Sequence, residues 1–160
     1  MSGCPGKADR PPWEAILDQP TPLPDRGQGH AGSMKTTMKL DEQGMPVGHP
    51  FNDAWELTPR AVADALAGEQ ELLLIDCRTD QEREIASIEG SMHVPMDVLA
   101  TRLDDLREHE DDEIVVYCHH GVRSLQVTHF LREAGFEHVR SMAGGIDLWS
   151  HAVDSTIPTY

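Results

Sequence analysis

Residues 114–124 read Ile114-Val115-Val116-Tyr117-Cys118-His119-His120-Gly121-Val122-Arg123-Ser124. The apolar run at their start fits a strand buried on both faces, as in a parallel sheet. The run stops at Cys118, a short loop follows, and Ser124 opens a helix with Val127, Phe130, Leu131 and Ala134 on one face, stopped by Gly135. In open α/β sheets, sites gather beyond the carboxyl ends of the strands, which is where this loop falls. Gly121 permits the backbone angles of a tight curl. Such a curl turns successive N–H groups inward above a helix N-terminus and makes an anion-binding nest. A sulfur at its centre is favoured as thiolate, the nucleophilic form. Arg123 adds a permanent cation at the rim. A cation there opposes the helix dipole, which points to a task, either recruiting an anion or bracing the loop.

The alternation extends outward in both directions. Leu72–Ile75 is a second apolar strand, and Thr58-Pro59 reads as an N-cap with proline at the first helical position, opening a helix to about Ala67. Between these strands Thr79–Ile88 reads as a polar helix and Ser91–Val94 as a short strand ended by Pro95. Met96–Glu108 carries Leu99, Leu103 and Leu106 at i, i+4 and i+7, which predicts one amphipathic helix. Val139–Met142 is a brief strand leading through Gly144-Gly145 into a last helix containing Trp149. Strands alternating with helices predict an α/β fold with a mostly parallel central sheet flanked by helices on both faces.

Composition bounds the rest. The chain has 160 residues, with 13 basic against 28 acidic, a formal balance of −15. That excess argues against a nucleic-acid groove or an anionic membrane as partner. No apolar run approaches the ~20 residues of a membrane span, and no basic-then-apolar start resembles a secretory signal. The expectation is a soluble, cytoplasmic protein. Residues 1–50 hold eight prolines and seven glycines and read as a flexible tail, leaving 51–160 as the domain. Within the tail, Pro12–Leu17 offers at most a short docking segment, and translation starting at Met34 or Met38 would leave the domain whole. The three cysteines, Cys4, Cys77 and Cys118, form no C-x-x-C and no even-numbered framework, so neither a zinc ribbon nor a disulfide scaffold is expected.

The motifs together resemble the single-domain rhodanese-like family, over roughly Leu57 to the C-terminus. Its nucleophile loop, Cys-x-x-Gly-x-Arg followed by Ser, is met by Cys118 to Ser124. Its Asp-x-Arg strand end is met by Asp76-Cys77-Arg78, with Glu82 on the next helix, and its Gly-Gly-x-x-x-Trp ending by Gly144 to Trp149. The pattern departs at Ala86 to Ser91 and at Arg83, both away from the sulfur loop. The resemblance implies a sulfurtransferase in which Cys118 takes a sulfane sulfur as a persulfide and passes it to a thiophilic acceptor. It implies thiosulfate or a protein persulfide as donor, a thiol or sulfur-carrier protein as acceptor, and no cofactor. Four residues stand between Cys118 and Arg123. Phosphatases of this fold have five, a ring wide enough for a phosphoryl group. The shorter loop fits a single outer sulfur and favours sulfur transfer over phosphate hydrolysis. A second reading is a sulfur-relay or redox-sensing module that docks a partner enzyme and turns over poorly alone.

On this reading Cys118 and Arg123 are catalytic. The loop residues His119, His120, Gly121, Val122 and Ser124, together with Arg78, contact substrate. Asp76 supports the site through an ion pair with Arg78. Adjacent His119 and His120 should point apart on a tight curl, so a metal is not expected; they line the mouth, where partial positive charge attracts an anionic donor. Cys77 is either a small buried residue or a thiol that resolves an oxidised or persulfidated Cys118. Residues 51–160 hold eight basic and twenty-two acidic residues, a balance of −14, and no lysine. A field that negative fits a basic protein partner better than a free anion.

Overall fold

Leu72–Asp76 (β2) and Glu113–Tyr117 (β4) pair in parallel through their whole length, as two apolar runs buried on both faces should. A computed structural model describes residues 38–160 apart from Gln70. Around this central pair, Glu56–Leu57 (β1), Met92–His93 (β3) and Val139–Met142 (β5) complete a five-stranded sheet in the order β1-β5-β4-β2-β3. Every pairing is parallel.

Alternation along β4 divides the core. Ile114, Val116 and Cys118 face one cluster with Ile75, Cys77, Val127 and Leu131. Val115 and Tyr117 face the other with Val62, Leu74, Ile146 and Trp149. The first face is covered by Val122–Glu133 (α4), the second by Pro59–Ala67 (α1) and Gly145–Ala152 (α5), which pack on each other. Helices therefore lie on both faces of a parallel sheet, as expected. Thr58 caps α1 by accepting the Ala61 N–H at 3.2 Å, with Pro59 in the first turn.

Several elements differ from their sequence reading. The polar helix is shorter, Asp80–Ile85 (α2), closed by a capping box between Thr79 and Glu82. It ends where Ala86 becomes extended, and Ala86 and Ile88 enter the second cluster. The stretch predicted as one helix over Met96–Glu108 breaks into a 3-10 turn at Leu99–Thr101, a single α turn at Leu103–Leu106 (α3), and a second 3-10 turn at Arg107–His109. No side chain caps either of the first two pieces, and the Thr101 hydroxyl bonds back to the Val98 carbonyl at 2.7 Å, competing with helix continuation. Leu99, Leu103 and Leu106 still reach the first cluster, so the periodicity marked the buried side without securing a helix.

The folded chain also begins before residue 51. Leu40 bridges to Pro46, Asp41 accepts the N–H groups of Gln43 and Met45, and Met45 is buried against Ala143 and Leu148. The turn precedes the boundary expected at residue 50; its apolar anchors, Met45 and Leu40, are too few and too interspersed with proline and glycine to stand out in the sequence. Cys4 and Pro12–Leu17 lie outside the described residues. Among the described residues, no helix is long and apolar enough to cross a membrane.

Candidate active site

Cys118 is the first residue past β4, and α4 starts at Val122, two residues earlier than the sequence suggested. The connection is therefore one tight turn, with Gly121 at φ 98° directly before the helix. A side chain at Gly121 would meet the Gly144 backbone, so this position needs glycine for both angle and space. The Cys118 sulfur is 1% exposed, accepts the Gly121 N–H at 3.0 Å, and lies 3.4 Å from the Ser124 hydroxyl. Ser124 is held in turn by the Gly121 carbonyl and, at 2.7 Å, by the Ser141 hydroxyl.

The loop is backed by the last helix. The Ile146 and Asp147 N–H groups, orphan donors of the first turn of α5, bond the carbonyls of Cys118 and His119 at 2.9 and 3.1 Å. In a trans peptide the C=O and the following N–H point in opposite directions. With these carbonyls drawn toward α5, the N–H groups of His119 and His120 point to the opposite side. The Gly-Gly motif makes this approach possible, because a side chain at Gly145 would collide with the Cys118 and His119 carbonyls. Gly145→Ala is accordingly expected to lose about 1–3 kcal/mol from its left-handed backbone alone, and more from the displaced loop. Urea unfolding of the variant measures the loss, and any reactivity of Cys118 should fall with it.

Electrostatics favour the thiolate. Cys118 is lowered to about 5, first by a hydrogen bond from the Cys77 thiol, then by Ser124 and Gly121, all acting against its own burial. Cys77 shifts upward through the same hydrogen bond and through burial, so it is the protonated partner and Cys118 the ionised one. The sequence left this nearness as one of two readings of Cys77, its signal being that Cys77 and Cys118 each follow an apolar strand.

The arginines stand differently from expectation. Arg123 donates both guanidinium arms to Glu82, at 2.7 and 2.6 Å. Of its two candidate tasks the geometry shows the bracing one: it ties the first turn of α4 to α2, while its charge still acts on Cys118. Glu82 is lowered to about 2, chiefly by Arg123. Arg78, expected to contact substrate, is buried, with its guanidinium engaged inside the fold. It pairs with Asp76 at 2.9 and 2.7 Å and also donates to the Ala86 carbonyl and the Tyr160 hydroxyl. Asp76 is the supporting partner expected, joined further by the Tyr117 hydroxyl at 3.0 Å.

His119 and His120 do not splay apart. Their rings stack at 3.8 Å, and Tyr160 stacks on the other side of His119 at 4.1 Å. Burial, then repulsion from His120, lowers the His119 pKa, which works against the positive charge expected there. With Asp147 these two histidines form a group whose ligand atoms lie within 4.8 Å of one another. Rings stacked face to face, 30° from parallel, hold their in-plane lone pairs side by side, poorly suited to one tetrahedral ion. Val122 is exposed beside the loop. Tyr160 was missed, because nothing local in the sequence links it to residue 119.

A family model described as Rhodanese-like domain matches residues 58–152. The sulfurtransferase of Allochromatium vinosum is 30% identical over 95 residues, covering 59% of this chain and 87% of that protein. The adenylyltransferase and sulfurtransferase UBA4 of Candida albicans is 29% identical over 117 residues, 69% of this chain but 27% of its own length. The crystal structure of a rhodanese-like domain protein from Staphylococcus aureus aligns with a TM-score of 0.57 at 23% identity, covering 66% of this chain and 98% of that one.

Proposed function

Because this chain belongs to the rhodanese-like domain family, we propose that it is a sulfurtransferase whose Cys118 carries the sulfur as a persulfide. The observation that carries this reading is the amide-held sulfur: Cys118 accepts the Gly121 N–H at 3.0 Å and lies 3.4 Å from the Ser124 hydroxyl, a setting that lowers its pKa to about 5. The thiolate attacks the outer sulfur of thiosulfate, the S–S bond breaks, and its electron pair leaves with sulfite. Sulfite is a stable anion, so no general acid is required. The persulfide's terminal charge would rest against inward N–H groups, a preorganised stabilisation. A thiophilic acceptor then takes the outer sulfur and returns Cys118 to thiolate.

The donor can equally be a protein persulfide. That variant is supported by the balance of −14 over residues 51–160, which repels free anions and attracts a basic protein surface. Relatives also carry sulfurtransferase in their names both as a shorter chain that the match nearly spans and as part of a much longer one. A relay module with slow turnover of its own is the second reading, and the same charge favours it.

Mixing the protein with thiosulfate should release a burst of one sulfite per chain, and excess cyanide should convert the bound sulfur to thiocyanate. The burst rate should hold from neutral pH to about pH 5 and fall about tenfold per pH unit below it, as Cys118 protonates. The brace survives that range. Glu82 has a depressed pKa, so its contribution is present above its ordinary value near 4.5 and is lost only as pH falls through about 2. No sulfite burst from thiosulfate, together with no sulfur uptake from a small-molecule persulfide, would overturn the proposal.

A further inference from the structure

Cys77 shares the buried cluster of Cys118, and the transfer cycle has no step for its thiol. β2 and β4 are parallel neighbours with Asp76 opposite Tyr117, and the Cys77 N–H donates to the Tyr117 carbonyl at 3.1 Å. The next residue on each chain is a cysteine, and both side chains fall in the same buried cluster on the α4 side of the sheet. Both are 1% exposed. The Cys77 thiol donates to the Tyr117 carbonyl at 3.3 Å, and its nearness to Cys118 shifts the two thiols in opposite directions, Cys118 down and Cys77 up. Neighbouring strands run about 4.7–4.9 Å apart, inside the Cα range of about 4.4–6.8 Å that a disulfide spans.

We propose that Cys77 is a resolving thiol that discharges a Cys118 persulfide as hydrosulfide when no acceptor arrives, leaving a Cys77–Cys118 disulfide. The inference rests on the persulfide reading given above. In the step, the Cys77 sulfur attacks the inner sulfur, Cys118 Sγ. The bond from Cys118 Sγ to the outer sulfur breaks as the bond to Cys77 forms. The outer sulfur leaves with the electron pair, and the proton given up by Cys77 completes HS⁻. The sulfane sulfur is reduced by two electrons and the two cysteines are oxidised by two, so no outside oxidant enters. A dithiol reductant restores both thiols.

Position decides which nucleophile reaches which sulfur. An acceptor from solvent meets the outer sulfur first, because Cys118 is buried; among the described residues Cys77 is the other thiol, and it shares the buried cluster of the inner sulfur. Loading the outer sulfur also moves the negative charge outward from Cys118 Sγ. That weakens the repulsion which keeps Cys77 protonated in the resting site. Transfer and discharge therefore compete, and the partner's presence sets the outcome.

The test is a single turnover of the full-length chain with thiosulfate, without cyanide, followed by sulfide assay and non-reducing mass spectrometry. Wild type should release close to one equivalent of sulfide and become two hydrogens lighter, with Cys77 and Cys118 joined in the peptide map. Dithiothreitol should reverse the mass change. Cys77→Ala and Cys77→Ser should instead stay one sulfur mass heavier and release at least about tenfold less sulfide. They are run near pH 9, where a cysteine of ordinary pKa, about 8.5, is largely ionised even without the Cys77 hydrogen bond. The serine variant keeps a donor at this site, so a folding failure of the alanine variant does not remove the test. A persulfide in wild type as long-lived as in the variants overturns the inference alone, as does a disulfide made through Cys4. No sulfur adduct in any of the three proteins overturns the persulfide reading and this inference with it.

Discussion

Replacing Cys118 with serine is expected to remove the sulfite burst and to lower thiocyanate formation by on the order of a thousandfold or more, the scale of losing a covalent nucleophile. The geometry of the site would survive. A serine hydroxyl is close in size and can accept the Gly121 N–H that the sulfur accepts at 3.0 Å. What would not survive is the ionisation. The hydrogen bonds that lower Cys118 to about 5 act on a thiol already near 9, whereas an alkyl hydroxyl starts several units higher and stays protonated. An oxygen also has no persulfide to form. Urea unfolding should place the variant within about 1 kcal/mol of wild type, a surface-like change despite burial, because neither volume nor hydrogen-bond partners are lost. Turnover with thiosulfate and cyanide that persists above about one hundredth of wild type would assign the chemistry to another group.

Legibility in the sequence follows the range of the interaction. β4 and the loop after it are local: the apolar run, the cysteine at its end and the glycine before the helix all lie within eleven residues, 114–124. β2 was legible for the same reason. β1 has only two residues and exists because β5 accepts it, so no periodicity could announce it. The Met96–Glu108 stretch shows the reverse limit, since its leucines recorded the buried side correctly while uncapped turns decided the backbone. At the site, Cys118 could be read from its neighbours, but its strongest stabilising partner, Cys77, comes from the next strand. Arg78 shows the same limit. An arginine near a loop that handles anions suggests substrate contact, and only burial against Asp76, Ala86 and Tyr160 shows that its charge is already spent inside the fold.

That burial makes Arg78→Met the substitution with the largest expected effect on stability. Arg78 and Asp76 are both 0% exposed, and the guanidinium makes two bonds to the carboxylate in a fork that matches it. Removing the arginine side chain leaves Asp76 buried with the Tyr117 hydroxyl, the backbone N–H of residue 78 at 3.1 Å and a half-buried Arg83 at 3.3 Å. Breaking one side of a buried pair costs about 3–5 kcal/mol, a large part of a domain's total of about 5–15. Three further links go with it: the Ala86 carbonyl that ends α2, the Glu82 carbonyl, and the Tyr160 hydroxyl that holds the ring over His119. Equilibrium urea unfolding should show the full loss in Arg78→Met. The double variant with Asp76→Asn should lose less than the two single variants summed, because the stranded charge is then absent. The sheet should persist at low urea while Cys118 loses reactivity, since the cluster at residues 76–86 positions Glu82 and, through it, Arg123. A single variant within about 1 kcal/mol of wild type would mean that Arg83, Tyr117 and the backbone N–H of residue 78 suffice to hold the buried carboxylate.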